Sequence, residues 1–248
     1  MAGITAKLTG EMIGTFALTF IGAGAIITST WTGGEPGLLG IALAHGLALS
    51  IAVSATMHVS GGHINPAVTL AMVATGRIKV VPAILYIIAQ CAGATIAGFL
   101  LAHIFNSMTG VAGGVAMTGT EAIAKSMLGT PNFNPSNITV GTAILVEAAL
   151  TFLLLFAVFG TAVDDRAPHI GGWGIGLTVG MDILMGGPIT GAAMNPARTI
   201  GTLIGGGSVT SGLWSQHAVY WIGPVLGAIL AALAYDIFIL KPRRDPAL

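Results

Sequence analysis

The sequence predicts an all-α membrane protein in which six transmembrane helices and two re-entrant half-helices form an inverted repeat. Composition is the first reason: 54% of the 248 residues are hydrophobic and only 7% are charged. In an ordinary soluble domain, about a quarter of the residues are charged. A duplicated Asn-Pro-Ala tripeptide, at residues 65–67 and 195–197, is the second reason. The similar sequence around the two copies is the third.

Six long apolar segments divide the chain. All but the fifth reach the length needed to cross a hydrocarbon core about 30 Å thick, and the fifth is marginally short. The segments lie at about residues 8–30, 38–58, 80–105, 140–163, 170–187 and 217–240. The two tripeptides follow the second and fifth segments. Between the third and fourth segments, Gly, Thr, Asn and Pro residues predict a long loop over 106–138.

Each Asn-Pro-Ala tripeptide predicts the start of a helix. Asn65 and Asn195 are favoured N-caps, and Pro66 and Pro196 suit the first helical position, where no N–H is needed. The apolar stretch after the first copy is short, and roughly ten helical residues extend only about 15 Å. Two half-helices entering from opposite sides would together span the membrane. Non-helical backbone at this depth must line a water-filled cavity, so the sequence predicts a pore.

The two halves of the chain repeat each other. Residues 11–16 correspond to 147–152, and residues 40–43 correspond to 174–177. Each half contains three helices, an odd number, so the second copy runs upside down and the functional site lies near the midplane.

We therefore expect one channel domain over residues 1–248. Its repeats cover about 8–105 and 140–240, and an extracellular loop, 106–138, joins them.

Basic residues predict the orientation. Seven lie on the side that holds both termini, and only Lys125 lies on the other, which places both termini in the cytoplasm. We expect the plasma membrane or an inner membrane. The seven residues are Lys7, Arg77, Lys79, Arg166, Lys241, Arg243 and Arg244.

Arg198 is the basic residue inside the predicted pore. A charge at membrane depth is by default functional, and a fixed cation beside a narrow aqueous path repels cations. The alternative is a structural arginine that pairs with loop carbonyls, and both roles are compatible.

The matched frames 60–69 and 190–199, together with the stretch 220–224, resemble the aquaporins, or major intrinsic protein family. The resemblance implies a passive channel for water that excludes ions and protons, with one pore in each subunit of a homotetramer. It also implies that Asn65, Pro66 and Ala67, with Asn195, Pro196 and Ala197, form the pore centre. There the two asparagines would donate hydrogen bonds to passing water, and the positive ends of both half-helices would disfavour cations.

The resemblance also implies a four-residue constriction formed by His45, Ile183, Ala192 and Arg198. This set looks like that of the plant tonoplast intrinsic proteins, in which such filters accompany passage of ammonia, urea or hydrogen peroxide beside water. His45 could instead be a packing histidine. Glycerol is not expected, because Thr199 follows the arginine where glycerol channels carry Asp, and Tyr220-Trp221 replaces their Pro and aliphatic residue.

Four further polar residues lie at membrane depth. The resemblance implies that Glu11 and Glu147 accept backbone N–H groups of the two loops, and His63 would brace its loop or line the cytoplasmic mouth. Asp182 could brace a loop, with no partner evident. If these acids instead carry protons, the chain would be an ion- or proton-coupled secondary transporter. A non-conducting junction or adhesion protein is the third class.

No enzyme signature is present. The chain has no phosphate loop, nucleophile elbow or metal-ligand spacing, so we expect neither a cofactor nor a metal. With a formal net charge of zero, no nucleic-acid partner is indicated. The expected partners are water, small neutral solutes and the lipid bilayer.

Overall fold

The computed structural model describes residues 2–110, 114, 116–168 and 170–240. Within these ranges the protein is helical, and its α-helices are connected by short turns, 3₁₀ turns and π-helical turns. The helices are α1 (Ile4–Trp31), α2 (Gly37–Ser60), α3 (Pro66–Ala74), α4 (Val80–Asn106), α5 (Gly119–Ser126), α6 (Val140–Val158), α7 (Trp173–Thr190), α8 (Pro196–Gly206) and α9 (Val219–Tyr235).

Six of these helices cross the apolar layer. Five of them, α1, α2, α4, α6 and α9 (the last two with their adjoining turns), are long and apolar enough to do so by length and composition alone. The helix α7 has only 18 residues, which include Asp182 and Pro188 as well as five glycines. It packs along α2 and α6 and therefore runs through the same layer. The fifth segment is thus the marginal one, as its length predicts.

The two half-helices start as the tripeptides predict. The Asn65 side chain accepts a hydrogen bond from Ala67 N at 2.8 Å, and Pro66 is the first residue of α3. The Asn195 side chain accepts from Ala197 N at 3.1 Å, and α8 likewise begins with proline. With 9 and 11 residues, each helix covers about half of the hydrocarbon thickness.

The two halves of the chain pack in the same way. The helix α1 packs against α2 and α4, and α6 packs correspondingly against α7 and α9. Contacts between α2 and α7 join the halves. The half-helices cross over: α3 packs on α9, and α8 packs on α4. Each half-helix therefore depends on the other half of the chain for much of its contact surface.

Matched glycines allow the tightest helix crossings. A Cβ at Gly93 would lie 2.0 Å from the carbonyl oxygen of Met12, where α4 crosses α1. A Cβ at Gly227 would lie 2.0 Å from the carbonyl oxygen of Ala148, where α9 crosses α6. Small residues at helix interfaces let the backbones approach closely in membranes. The repeat therefore extends to the closest backbone contacts.

The expectation of a long loop over 106–138 is wrong in part, because α5 lies within it. This helix begins with a capping box: Glu121 N donates to Thr118 Oγ1 at 3.2 Å, and Thr118 N donates to the Glu121 carboxylate at 2.7 Å. Hydrogen bonds from the Thr118 backbone and hydroxyl lower the pKa of Glu121 below its ordinary value. The Thr-x-x-Glu spacing was a local signal for this helix. Residues 111–113 and 115 are outside the described ranges.

The surface where α1, α4 and α7 begin, and where α2, α6 and α9 end, is called the terminal face here; the opposite surface is the α5 face. Arg77 Nη2 donates to Asp236 Oδ1 at 2.8 Å, which joins the turn after α3 to the end of α9. Arg166 Nη2 lies 3.4 Å from the carbonyl oxygen of Ile239. Four of the seven predicted basic residues lie on this face, and Lys125 lies on α5. The other three, Lys241, Arg243 and Arg244, are outside the described residues.

We expect Gly227→Ala to lower the thermal midpoint of the detergent-solubilised protein. The added methyl group would meet the Ala148 carbonyl oxygen at 2.0 Å, so α6 and α9 must move apart. Overpacking of this kind costs about 1–3 kcal/mol. Gly141→Ala on α6 is the control, because its nearest heavy atom would be Thr139 Oγ1 at 3.8 Å. An equal loss in both variants would contradict the crowding explanation.

Candidate functional site

The carboxylate of Glu11 holds the first re-entrant loop. Its Oε1 accepts from Ser60 Oγ at 2.7 Å and from the backbone N–H of His63 at 2.9 Å. Its Oε2 accepts from the backbone N–H of Ile64 at 2.6 Å and from Gln90 Nε2 at 2.7 Å. Glu11 is fully buried. Four donors therefore replace its hydration, which is what an ionised carboxylate requires at this depth.

Glu147 holds the second loop in the corresponding way. Its Oε1 accepts from Thr190 Oγ1 at 2.6 Å and from the backbone N–H of Ala193 at 3.0 Å. Its Oε2 accepts from the backbone N–H of Met194 at 2.8 Å. Glu147 is also fully buried. Both acids thus have the geometry of backbone acceptors.

These carboxylates stabilise an unusual backbone conformation. Ile64 has φ 54° and Met194 has φ 50°, in the left-handed region that L residues with side chains rarely adopt. Strain of this kind costs about 1–3 kcal/mol per residue and persists only where surrounding contacts hold it. Because both residues donate their N–H groups to a buried carboxylate, their carbonyl groups have fixed directions.

Each fixed carbonyl meets the asparagine of the other loop. Asn65 Nδ2 donates to Met194 O at 2.8 Å, and Asn195 Nδ2 donates to Ile64 O at 2.9 Å. An amide group carries two N–H bonds, so each asparagine uses one to join the loops and retains a second. Both asparagines line the same cavity. Two amide N–H donors are therefore available near the centre of that cavity.

Two cavities meet at the predicted constriction. The first has a volume of about 260 Å³, contains both asparagines and extends toward the terminal face. The second, of about 590 Å³, extends toward the α5 face. Three residues line both cavities: His45, Ile183 and Arg198. The fourth predicted residue, Ala192, lines the first cavity only. The structure therefore brings all four together.

His45 and Arg198 are hydrogen-bonded to each other. His45 Nδ1 lies 2.9 Å from the carbonyl oxygen of Ile41, which can only accept, so this nitrogen carries the proton. Its Nε2 is then an acceptor, and Arg198 Nη2 lies 3.3 Å from it. This arrangement fits a neutral imidazole beside a guanidinium cation. Gly22 makes room for the ring, since a Cβ there would lie 2.3 Å from Nε2.

The expected pairing of Arg198 with loop carbonyls is not found within the described residues. Its side chain contacts His45 instead, and Nη1 is buried without a hydrogen-bond partner there. The guanidinium group is therefore held by His45, and Arg198 lines both cavities. His45 is 4% exposed, as a packing histidine would be, and it also lines both cavities.

Comparison with known proteins identifies the chain. Residues 2–235 match the family described as Major intrinsic protein. The chain belongs to the major intrinsic protein family. It is 41% identical to Aquaporin TIP4-4 of Zea mays, over 99% of this chain and 91% of that protein. It is 39% identical to Probable aquaporin TIP3-2 of Arabidopsis thaliana, over 95% of this chain and 84% of that protein.

A solved structure shows the same fold. The aquaglyceroporin from Plasmodium falciparum matches with a TM-score of 0.78 and 25% identity, over 97% of this chain and 98% of that one. Like its family, this aquaporin is a passive transmembrane channel for water and small solutes and not an enzyme. The two cavities and the loops between them lie where such a pore must run.

His63, for which the alternatives were to brace its loop or to line the cytoplasmic mouth, lies between the first loop and the first cavity of this aquaporin. Its ring lines the first cavity, and Nδ1 lies 3.1 Å from Thr69 Oγ1. Its backbone N–H donates to Glu11. The residue therefore contributes to the loop and to the cavity wall.

Asp182 does not brace a loop. Its side chain is 1% exposed, and neither carboxylate oxygen has a hydrogen-bond partner within the described part of the chain. It lines neither of the two cavities. The residue is therefore buried in the helix packing of the aquaporin, away from the conducting path.

Tyr86 and Gln90 were missed from the sequence, and Tyr220 was noted only as a difference from glycerol channels. Tyr86 donates its hydroxyl to Ser60 O at 2.9 Å, and Tyr220 donates to Thr190 O at 2.7 Å. These pairs fix the loop segments that contact the buried glutamates. The tyrosines are 134 residues apart, the offset of the repeat at Gly40 and Gly174, so the repeat itself was a signal. Gln90, whose position in the repeat falls at Pro224, had no such signal.

The role of residues 130–134, which lie at the second cavity, was also missed from the sequence. Phe133 N donates to Gln216 Oε1 at 3.0 Å, and Gln216 Nε2 donates to Phe133 O at 3.0 Å. A Cβ at Gly191 would lie 2.8 Å from Pro131 Cα, so this segment packs directly on the second loop. It forms part of the wall of the second cavity.

We expect Asp182→Asn to raise the free energy of unfolding at neutral pH by about 1 kcal/mol or more, and the thermal midpoint with it, because the amide keeps the shape and cannot carry a charge at this buried position. Water flux should be unchanged, with or without a proton gradient. Asp236→Asn is the control and should lower the midpoint, because it weakens the contact with Arg77. Loss of flux in Asp182→Asn would instead favour the proton-coupled transporter.

Proposed function

We propose that this aquaporin conducts ammonia beside water, and admits urea or hydrogen peroxide, while it excludes ions and protons. The observation that carries the proposal is the residue set shared by the two cavities: His45, Ile183 and Arg198. One wall is polar, because the imidazole and guanidinium lie side by side. The opposing aliphatic side chain of Ile183 and the methyl group of Ala192 leave more room than an aromatic ring would.

The constriction suits ammonia because it offers both hydrogen-bond donors and an apolar wall. Arg198 supplies N–H donors for a lone pair, as it would for water. Passage of a small neutral solute exchanges only a few hydrogen bonds, so the barrier stays low. Glycerol is outside the proposal, because Thr199 follows the arginine where glycerol channels carry Asp, and Tyr220-Trp221 replaces their Pro and aliphatic residue.

Exclusion of ions follows from three features in the proposal. Arg198 places a fixed cation at the constriction. The half-helices α3 and α8 both begin at the paired asparagines, so their positive ends meet there. Removing the hydration shell of an ion costs tens of kcal/mol by Born estimates, and neutral donors do not replace it. Cations and protons therefore meet a high barrier where water does not.

The geometry disfavours the proton-coupled alternative. Both oxygens of Glu11 and Glu147 already accept hydrogen bonds from the loops. Asp182 lies outside both cavities. None of these acids is therefore placed to exchange protons with a solute in the path. A non-conducting junction protein is disfavoured by two cavities that meet at a polar constriction.

The proposal includes orientation and assembly. The basic residues of the terminal face place both termini in the cytoplasm by the positive-inside rule. Large apolar side chains on the outer surface, such as Ile51 (66% exposed) and Leu145 (68% exposed), fit contact with lipid or with neighbouring subunits of a homotetramer. The expected plasma or inner membrane has no support from the relatives, which are of the tonoplast type.

The decisive experiment measures osmotic water flux and ammonia uptake by stopped flow on one preparation of proteoliposomes. We expect both to be fast and independent of a proton gradient. His45→Phe should reduce ammonia uptake several-fold more than water flux, because the larger ring narrows the constriction. His103→Phe on α4 makes the same substitution outside both cavities and is the control. Equal losses of both fluxes in His45→Phe would contradict the assigned filter.

We expect Arg198→Ala to increase proton or cation leak by at least about tenfold, since the fixed charge is worth more than about 1.4 kcal/mol to the barrier. Water flux should stay near that of the unchanged protein. The measurement is acidification of liposomes loaded with a pH-sensitive dye. Arg166→Ala removes the same charge at the terminal face and should leave the leak unchanged. An unaltered leak in Arg198→Ala would refute this role.

A further inference from the structure

A third cavity, of about 440 Å³, opens on the terminal face beside the pore. Three cationic side chains line it: Lys7, Arg77 and Lys79. It shares Gly61 and His63 with the first cavity, so it lies directly against the first re-entrant loop. Its position places a strongly basic pocket next to the mouth of the channel.

Two helices begin beside this pocket, since Ile4 of α1 and Pro82 of α4 are among the residues that line it. The helix α1 begins at Ile4 and α4 begins at Val80, and neither has a side-chain N-cap hydrogen bond. Among the described residues, no hydrogen bond uses the N–H groups of Val80 and Val81, and the next residue, Pro82, has no N–H. Both helices are long, with 28 and 27 residues. Uncapped N-termini with unused N–H groups are ready anion sites.

Two of the three cations have no acid beside them. No Asp or Glu is among the residues that line the pocket in the described part of the chain. Arg77 is already engaged, because Nη2 donates to Asp236 Oδ1 at 2.8 Å and Nη1 donates to Thr75 O at 3.3 Å. Neither Lys7 nor Lys79 forms a salt bridge within the described ranges. The nearby carboxylate of Glu11 accepts hydrogen bonds from Ser60 and His63, two residues that line the pocket.

We propose that this pocket binds a phosphate monoester, carried by a lipid headgroup or present as free phosphate. Such a group has close to two negative charges and three acceptor oxygens at neutral pH, which match the cationic side chains that line the pocket. The pocket lies at the membrane surface, where headgroups are concentrated and attract basic clusters. The bound group would lie against Gly61 and His63, and so would contact the loop that carries Asn65.

The test measures thermal unfolding in an uncharged detergent, at constant ionic strength. The ligands are inorganic phosphate, dioctanoyl phosphatidate, and dioctanoyl phosphatidylglycerol, which carries only a phosphodiester. We expect a saturable rise of the midpoint with a monoester. Saturation by inorganic phosphate identifies the free ion as sufficient, and saturation by phosphatidate alone identifies the lipid headgroup.

The variant Lys7→Ala/Lys79→Ala should bind about 30-fold more weakly, because each lysine contributes to attraction of the anion. Lys125→Ala removes a cation from the α5 face and should bind as the unchanged protein does. The midpoint without ligand, and water flux in liposomes, report whether each variant is folded. If the double variant is not folded, each single lysine variant should bind about fivefold more weakly.

Three results would overturn the proposal: no saturable rise with either monoester, an equal rise with phosphatidylglycerol, or undiminished binding by the folded lysine variants. Because water flux is measured separately, failure of this site is distinguishable from failure of the proposed channel selectivity.

Discussion

The pore depends on two buried carboxylates that hold backbone in a conformation it would not otherwise keep. Glu11 and Glu147 each accept two consecutive N–H groups from a re-entrant loop. Without these acceptors, those N–H groups would be unsatisfied in a medium that offers no water. The second donor of each pair, Ile64 or Met194, is in the left-handed conformation and directs its carbonyl group toward the other loop. There the asparagine of that loop donates to it. These hydrogen bonds therefore fix the positions of the Asn65 and Asn195 side chains in the first cavity.

The constriction residue Arg198 is positioned by the same second loop, but its side chain is oriented by a residue of another helix. Arg198 is only three residues after Asn195, so the second loop and its half-helix fix the position of its backbone. The side chain is then oriented by an imidazole from α2, which is itself oriented by the Ile41 carbonyl. Gly22 on α1 provides the space for that imidazole. The proposed filter thus combines residues of α2, α7, the second loop and α8, with space provided by α1.

Local sequence signals predicted the parts of the structure that local physics controls. The N-caps and the first half-helix, expected at about 67–74 and found at Pro66–Ala74, follow from Asn-Pro and from length alone. The repeat predicted that the two Asn-Pro-Ala loops meet, and the family resemblance implied the four residues of the constriction. The partner of Arg198, the pairing of Gln216 with Phe133 and the role of Gly22 were not predicted, because each joins residues far apart in sequence with no local pattern. The helix α5 was missed although the capping-box residues Thr118 and Glu121 were a sequence signal for its start.

The crossed hydrogen bonds between Asn65 and Met194, and between Asn195 and Ile64, bear on how the channel is made. These residues are 129 and 131 positions apart. During synthesis, the first loop is complete long before its partner has left the ribosome. Until then, the Asn65 amide lacks the Met194 carbonyl, and the Ile64 carbonyl has only the hydroxyl of Thr15 at 3.3 Å. The first half of the chain therefore reaches its final form only after the second half has been inserted, so biogenesis of this pore is completed in one late, concerted step.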